Sequence, residues 1–354
     1  MTARWTVLSV AYPLAPVGCD AVGGAEQVLA TIDRKLARAG HRSIVIACEG
    51  SRCAGELVTI PRASGPLDEL ARTRAQAHTK AAIERTLART RVDLVHLHGL
   101  DFEAYLPAPG PVVLVTLHLA ASWYAASVLA LGRPRTHLSC VSRSQRLGFG
   151  AGVAAAVIEN GVDLQALRPG GARGRYVLGL GRVCPEKGFH RALDAARRAA
   201  TPMVLAGEVF AYAEHLRYFE THVRPRLDAQ RRFVGPVGLD RKRTLLAEAR
   251  ALLVPSEVAE TSSLVAMEAM ACGTPVITFG AGALAELVEH GRTGFVVADE
   301  HEMAAAIRDV AAIDRAACRE AAERRFSDER MVADYLALYG RLLADSSDSC
   351  TARA

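Results

Sequence analysis

Pro255-Ser-Glu-Val-Ala-Glu260-Thr-Ser-Ser-Leu-Val-Ala-Met-Glu268-Ala-Met-Ala-Cys-Gly273-Thr-Pro275-Val-Ile-Thr278 is the stretch from which the fold can be read. The apolar run Ala251–Val254 reads as a strand, and Pro255 stops it because proline has no N–H for a ladder. A short polar loop follows, in which Ser262 or Ser263 is placed to cap a helix by accepting from its free first-turn N–H groups. Leu264 to Ala271 reads as that helix, Gly273 as its left-handed stop, and Pro275 as the opening of the next strand. Glu260 and Glu268 bracket the loop and helix. Counted as eight helical positions they would stand roughly 12 Å apart along the axis. That exceeds the separation of about 5–9.5 Å between the paired carboxylates of a glycoside hydrolase. The spacing suits two ends of one ligand instead, with a phosphate drawn to the helix start between them by unpaired N–H groups and the dipole.

The same strand–helix alternation extends in both directions. Before it, strands are predicted at 6–11, 43–48, 57–60, 93–98, 112–117, 137–141 and 155–159. Helices are predicted after Gly23-Gly24, over 67–90 and around 122–131. In the second half, strands are predicted at 176–180, 203–206, 232–234, 251–254, 276–278 and 295–297, and helices at 299–312, 315–325 and 328–344. Alternation of this kind implies parallel, doubly wound sheets. Asn160-Gly161-Val162-Asp163 reads as a tight chain reversal that uses the glycine's tolerance of positive φ. Arg168-Pro-Gly-Gly-Ala-Arg-Gly174 reads as a connector. The resulting division is 1–168, 169–328, a last helix over 329–344 and a flexible tail over 345–354.

Half of the 354 residues are hydrophobic and 23% are charged, a globular composition with room for two cores. The net charge of +5 comes from arginines scattered along helix faces, which gives no basis for nucleic-acid binding. The eight cysteines show neither C-x-x-C nor a paired Cys/His spacing, so reduced thiols, a cytoplasmic setting and no structural zinc are expected. The apolar stretch from Trp5 reads as a strand and not as a leader, and no run approaches the ~20 apolar residues of a membrane span.

Two further loops carry chemistry. Gly179-Leu-Gly181-Arg182-Val-Cys184-Pro-Glu-Lys187-Gly188 ends one strand and opens a helix. It is a poor dinucleotide fingerprint, since Cys184 occupies the place of the third glycine. It makes a better phosphate site, with two cations at the carboxyl end of a strand. Gly23-Gly24-Ala-Glu26 occupies the equivalent turn of the first half and exposes N–H groups to a ligand. His118 directly follows a strand, and His98 ends another, which places both at the carboxyl ends of strands.

Glu260-x7-Glu268 followed by Ala-Met-Ala-Cys-Gly-Thr-Pro-Val, the Gly-Arg-x4-Lys-Gly segment and the Gly-Gly-x-Glu loop together resemble the retaining nucleotide-sugar glycosyltransferases of family 4. The resemblance implies the α/β GT-B fold, with two doubly wound, Rossmann-like domains facing across a cleft and the last helix crossing back to the first. By the same resemblance Glu268 holds the donor ribose, Glu260 the transferred sugar, and Arg182 and Lys187 the diphosphate. Gly181, Ser263, Leu264, Val265 and Val234 would line the donor site, while Gly23, Gly24 and Glu26 would meet the distal phosphate. His118 would face the reacting carbon, and His98 the acceptor. The chain departs from the family at Thr261, Ser262 and Ser263, where glycines and an aromatic are common. No Asp-x-Asp occurs, so the leaving diphosphate is expected to be stabilised by fixed cations without a metal or other cofactor. The nucleotide sugar is then a co-substrate, and a small-molecule or oligosaccharide acceptor is expected. Ala- and Arg-rich usage fits a GC-rich bacterial genome and a secondary metabolite, such as an antibiotic, as acceptor. A GT-B nucleotide-sugar 2-epimerase and a non-catalytic nucleotide-sugar-binding protein are the rival readings.

Overall fold

The computed structural model describes residues 4–21, 23–65, 67–125, 129, 132–170 and 174–351, with side chains as far as 345. The chain forms two compact units, Met1–Glu159 together with Glu329–Ala354, and Asn160–Asp328. The division falls at Glu159/Asn160, ahead of the connector that the sequence singles out.

In the first unit, strands β1 (Thr6–Val10), β2 (Arg42–Cys48), β3 (Glu56–Ile60), β4 (Leu94–Leu97), β5 (Val112–Leu117), β6 (Thr136–Cys140) and β7 (Ala155–Val157) form one sheet. Its order is β3-β2-β1-β4-β5-β6-β7 and every pairing is parallel. Unbroken apolar runs such as Ile44–Ala47 and Val112–Val115 are buried throughout, as expected for strands covered on both faces. In the second unit, β8 (Val177–Leu180), β9 (Met203–Ala206), β10 (Arg231–Phe233), β11 (Leu252–Val254), β12 (Val276–Phe279) and β13 (Gly294–Val297) run parallel in the order β10-β9-β8-β11-β12-β13. Both sheets reverse their winding beside their first strand, between β1 and β4 and between β8 and β11. Open α/β sheets bind ligands outside the carboxyl ends of the strands at such a reversal.

The last helix, Asp328–Thr351, packs in the first unit through Met331, Tyr335, Leu338 and Leu342, all buried. It runs on to Thr351, through much of the stretch that the sequence marks as a tail. Three further expectations are corrected. Gly161 does not adopt a positive φ. Its missing side chain matters because a Cβ there would meet the Ser327 carbonyl oxygen at 2.4 Å, where Val162 bridges Ser327. The second long helix begins at Glu69, two residues later than expected, because the Asp68 carboxylate caps Ala71 N–H at 2.8 Å. Around 122–131 the described residues show a short 3-10 turn, Ala121–Trp123; the rest of the helix expected there falls largely on residues outside the described ones.

Candidate functional site

The loop after β8 is shaped by two close approaches. Pro185–Lys187 makes one 3-10 turn, and Gly188 closes it at φ +61°. A Cβ on Gly188 would also lie 2.2 Å from the Pro255 carbonyl oxygen, so both the dihedral and the space demand glycine. The loop after β11 is therefore held directly against the loop after β8. Glu257 N–H donates to the Glu186 carbonyl at 2.9 Å. Across this seam Lys187 Nζ meets Glu260 Oε1 at 2.5 Å, and Ser256 Oγ donates to the same oxygen at 2.7 Å.

The second glutamate has its own cation. Glu268 sits mid-helix in Leu264–Ala271, buried, with Lys242 Nζ 2.5 Å from its Oε1. Its Oε2 is buried with no hydrogen-bond partner among the described residues. An acceptor left unpaired inside a protein costs about 1–3 kcal/mol, which a water or ligand donor reaching it would relieve. Lys242 comes from the helix Leu239–Glu248 and belongs to no motif that contains either glutamate, so it carries no sequence signal.

Two sequence expectations about this helix fail. The axial spacing computed for Glu260 and Glu268 does not apply, since Glu260 lies before the helix and bridges Gly282 instead. Ser263 occupies the N-cap position without a side-chain cap bond, and Ser262 Oγ accepts from Asn160 Nδ2 at 3.0 Å. With neither serine capping it, the helix start at Leu264 and Val265 is left open to an anion. Arg182 is exposed, and its guanidinium makes no hydrogen bond or ion pair among the described residues. Gly181 follows β8, and Val234 follows β10 with its N–H donated to Leu205 at 2.9 Å. The structure thus gathers Gly181, Arg182, Lys187, Glu260, Ser263, Leu264, Val265 and Glu268 on the loops and helix that follow β8 and β11, with Val234 two strands away.

The first unit carries the remaining candidates at the carboxyl ends of adjacent strands. Gly23 and Gly24 open the helix Gly24–Arg38 after β1, and the buried Glu26 carboxylate folds back so far that a side chain on Gly23 would collide with it. His98 follows β4 and His118 follows β5. Their rings stack with centroids 5.4 Å apart, and His98 Nδ1 lies 3.1 Å from His118 Nε2. Tyr124 hydroxyl accepts from the His118 and Leu119 N–H groups at 3.2 and 3.3 Å. Deeper on the same face, His96 bonds Thr116 Oγ1 and the Tyr339 hydroxyl, both at 2.7 Å. Burial lowers His96 to about 3 and His118 to about 4, and holds His98 well below the usual histidine value. All three imidazoles are accordingly neutral at physiological pH.

Two doubly wound parallel sheets, each with its loops gathered at a winding reversal, match the GT-B fold of glycosyltransferases. Residues 22–166 match the profile described as Glycosyltransferase Family 4, and residues 174–312 match Glycosyl transferases group 1. The chain belongs to these glycosyltransferases. It is 36% identical over 202 residues to glycogen synthase of Mycobacterium tuberculosis, a match covering 53% of this chain and 46% of that one. The chain thus spans about half the length of that curated relative. It is 26% identical over 318 residues to the phosphatidyl-myo-inositol mannosyltransferase of the same species, covering 80% and 81% of the two chains. Among solved structures, AviGT4, a glycosyltransferase involved in avilamycin A biosynthesis, superposes with a TM-score of 0.74 at 28% identity, over 96% of this chain and 98% of that one.

Proposed function

We propose that the protein moves a sugar from a nucleoside diphosphate sugar to an acceptor hydroxyl, retaining the anomeric configuration. The observation that carries this reading is the pair of lysine–glutamate contacts, Lys187–Glu260 and Lys242–Glu268, set before and within a helix whose start has no side-chain cap. The first pair puts a cation and a carboxylate acceptor in contact, which fits the junction where a diphosphate joins its sugar. Lys187 and Arg182 take the diphosphate oxygens, and Glu260 accepts from sugar hydroxyls. Glu268 Oε2, buried and unpaired, accepts from the ribose. Fixed cations and the open helix start offset the leaving group's charge as it develops, without reorganising at the moment of reaction.

In the first unit, neutral His118 offers a polar group without a competing charge, with the Gly23-Gly24 turn available to a phosphate and His98 behind His118. The likeness to a glycosyltransferase of avilamycin A biosynthesis supports a small secondary metabolite as acceptor. Retention rests on the family resemblance.

The test is to incubate the protein with UDP-, GDP-, ADP- and TDP-sugars, with and without candidate acceptors, in the presence of a chelator. Nucleotide release that depends on acceptor and survives chelation supports the reading. Isomerised donor in the absence of acceptor establishes the epimerase instead. A thermal shift with no turnover under any condition leaves only a binding protein. Lys187→Ala should cut turnover by about 10²–10³-fold, the loss seen when one transition-state donor is removed.

A further inference from the structure

Cys184, Glu186 and His215 form a cluster that the donor site does not use. Their ligand atoms all lie within 4.8 Å of one another, although His215 is remote from the other two in sequence. Cys184 and His215 are buried, and Glu186 is exposed. His215 Nδ1 is withdrawn from water with no hydrogen-bond partner among the described residues. The ring thus has an unsatisfied buried nitrogen and also offers a ligand atom within reach of a thiol and a carboxylate.

We infer that Cys184, Glu186 and His215 are a binding site for a borderline-soft divalent cation, zinc above all. Thiolate, imidazole and carboxylate are the three donor types that zinc accepts together, and three protein donors leave a fourth position to water or an anion. Tetrahedral donors at 2.0–2.3 Å stand roughly 3.3–3.8 Å apart, so the cluster needs a contraction on the order of 1 Å to close on an ion. On binding, the Cys184 thiol proton leaves to solvent and sulfur coordinates as thiolate. The ion fastens the loop after β8 to the helix Ala213–Tyr218, which carries His215. The loop is otherwise tied on its other side, where the Glu186 carbonyl accepts from Glu257. Binding of the ion does not depend on the transferase reading.

The experiment titrates chelator-treated protein with cobalt(II) and then with zinc(II). Cys19 is an exposed thiol, so a Cys19→Ser background removes its contribution. The expected result is one cobalt per chain with a thiolate charge-transfer band and tetrahedral visible bands, displaced by zinc. Cys184→Ser should abolish the charge-transfer band. His215→Ala and Glu186→Gln should each weaken binding at least tenfold, since even outer-shell partners of a metal change affinity by about 10–100-fold. Zinc should raise the melting temperature of the parent but not of His215→Ala. The exposed Glu186→Gln change gives a folded comparison if a buried variant misfolds. A band that persists in Cys184→Ser, an affinity indifferent to His215→Ala and Glu186→Gln, or no binding of either metal overturns the site and leaves a hydrogen-bonded cluster.

Discussion

Glu268 is a carboxylate almost withdrawn from water, with Lys242 beside one oxygen and no hydrogen-bond partner for the other among the described residues. Such a pair is poor evidence of stability, because desolvating both charges offsets most of their attraction, yet breaking it is costly. Lys242→Met should therefore destabilise the fold by about 3–5 kcal/mol, read by urea unfolding. Lys242→Met with Glu268→Gln should recover much of that loss, since no buried charge then stands alone. Equal stability of the single and double variants would show that the lysine contributes nothing to holding the carboxylate. Both variants should also weaken nucleotide binding, because the Glu268 carboxylate either loses the cation that holds it or is replaced by an amide. Glu260, Glu268, Arg182 and Lys187 were legible in the sequence because each stands at a fixed offset within a recognisable motif. Lys242 and Ser256 were not: their offsets carry no pattern, and only the approach of separate loops makes them partners. The same is true of Cys184 and His215, whose local spacing led to the expectation of no zinc.

The strands β4 and β5 present a stack of neutral histidines, and this gives their end of the sheet a pH dependence. His96 and His98 are wholly buried, and both have depressed pKa values in the folded state. The unfolded chain binds their protons near pH 6.5 while the folded chain does not, so stability is full above that value and falls as pH drops below it. Each histidine contributes a slope of roughly 1.4 kcal/mol per pH unit between about pH 6.5 and pH 5. Unfolding curves taken across that window should show the loss, and His96→Gln should remove about half of the slope from these two groups. An unchanged slope in the variant would mean that His96 is protonated in the native state. At the scale of elements the sequence was read closely, because fully buried parallel strands are unbroken apolar runs and their ends are marked by Gly, Pro and Asn. Capping was read less well. A serine before a helix looks the same whether its hydroxyl caps the helix or, like Ser262, accepts from Asn160 elsewhere.

At the scale of the molecule, each unit has its own apolar core: one spans β8 to β13 and their helices, the other β1 to β6. The sequence supports a division because the strand–helix pattern runs twice; the Gly-rich connector places the expected boundary after 168, whereas the compact units divide at Glu159/Asn160. What fixes the boundary is a pairing between distant residues: Val162 N–H donates to the Phe326 carbonyl, and Asp328 N–H donates to Val162. The chain enters and leaves the second unit side by side there, and a linear reading cannot see both ends. The first unit is then completed by the last helix, whose Tyr335 and Tyr339 hydroxyls join Thr116 and His96 in its interior. Two cores imply two separable unfolding transitions, and each can be moved alone. Tyr339→Phe leaves His96 Nδ1 without its partner and should lower one transition by about 1–3 kcal/mol, the cost of an unsatisfied buried group. A nucleoside diphosphate at about a hundred times its dissociation constant should raise the other by about 2.7 kcal/mol. At about 2–4 °C per kcal/mol for units of this size, both shifts are resolvable by calorimetry. If the nucleotide and Tyr339→Phe move the same transition, then either the donor does not bind the second unit or the two cores unfold as one.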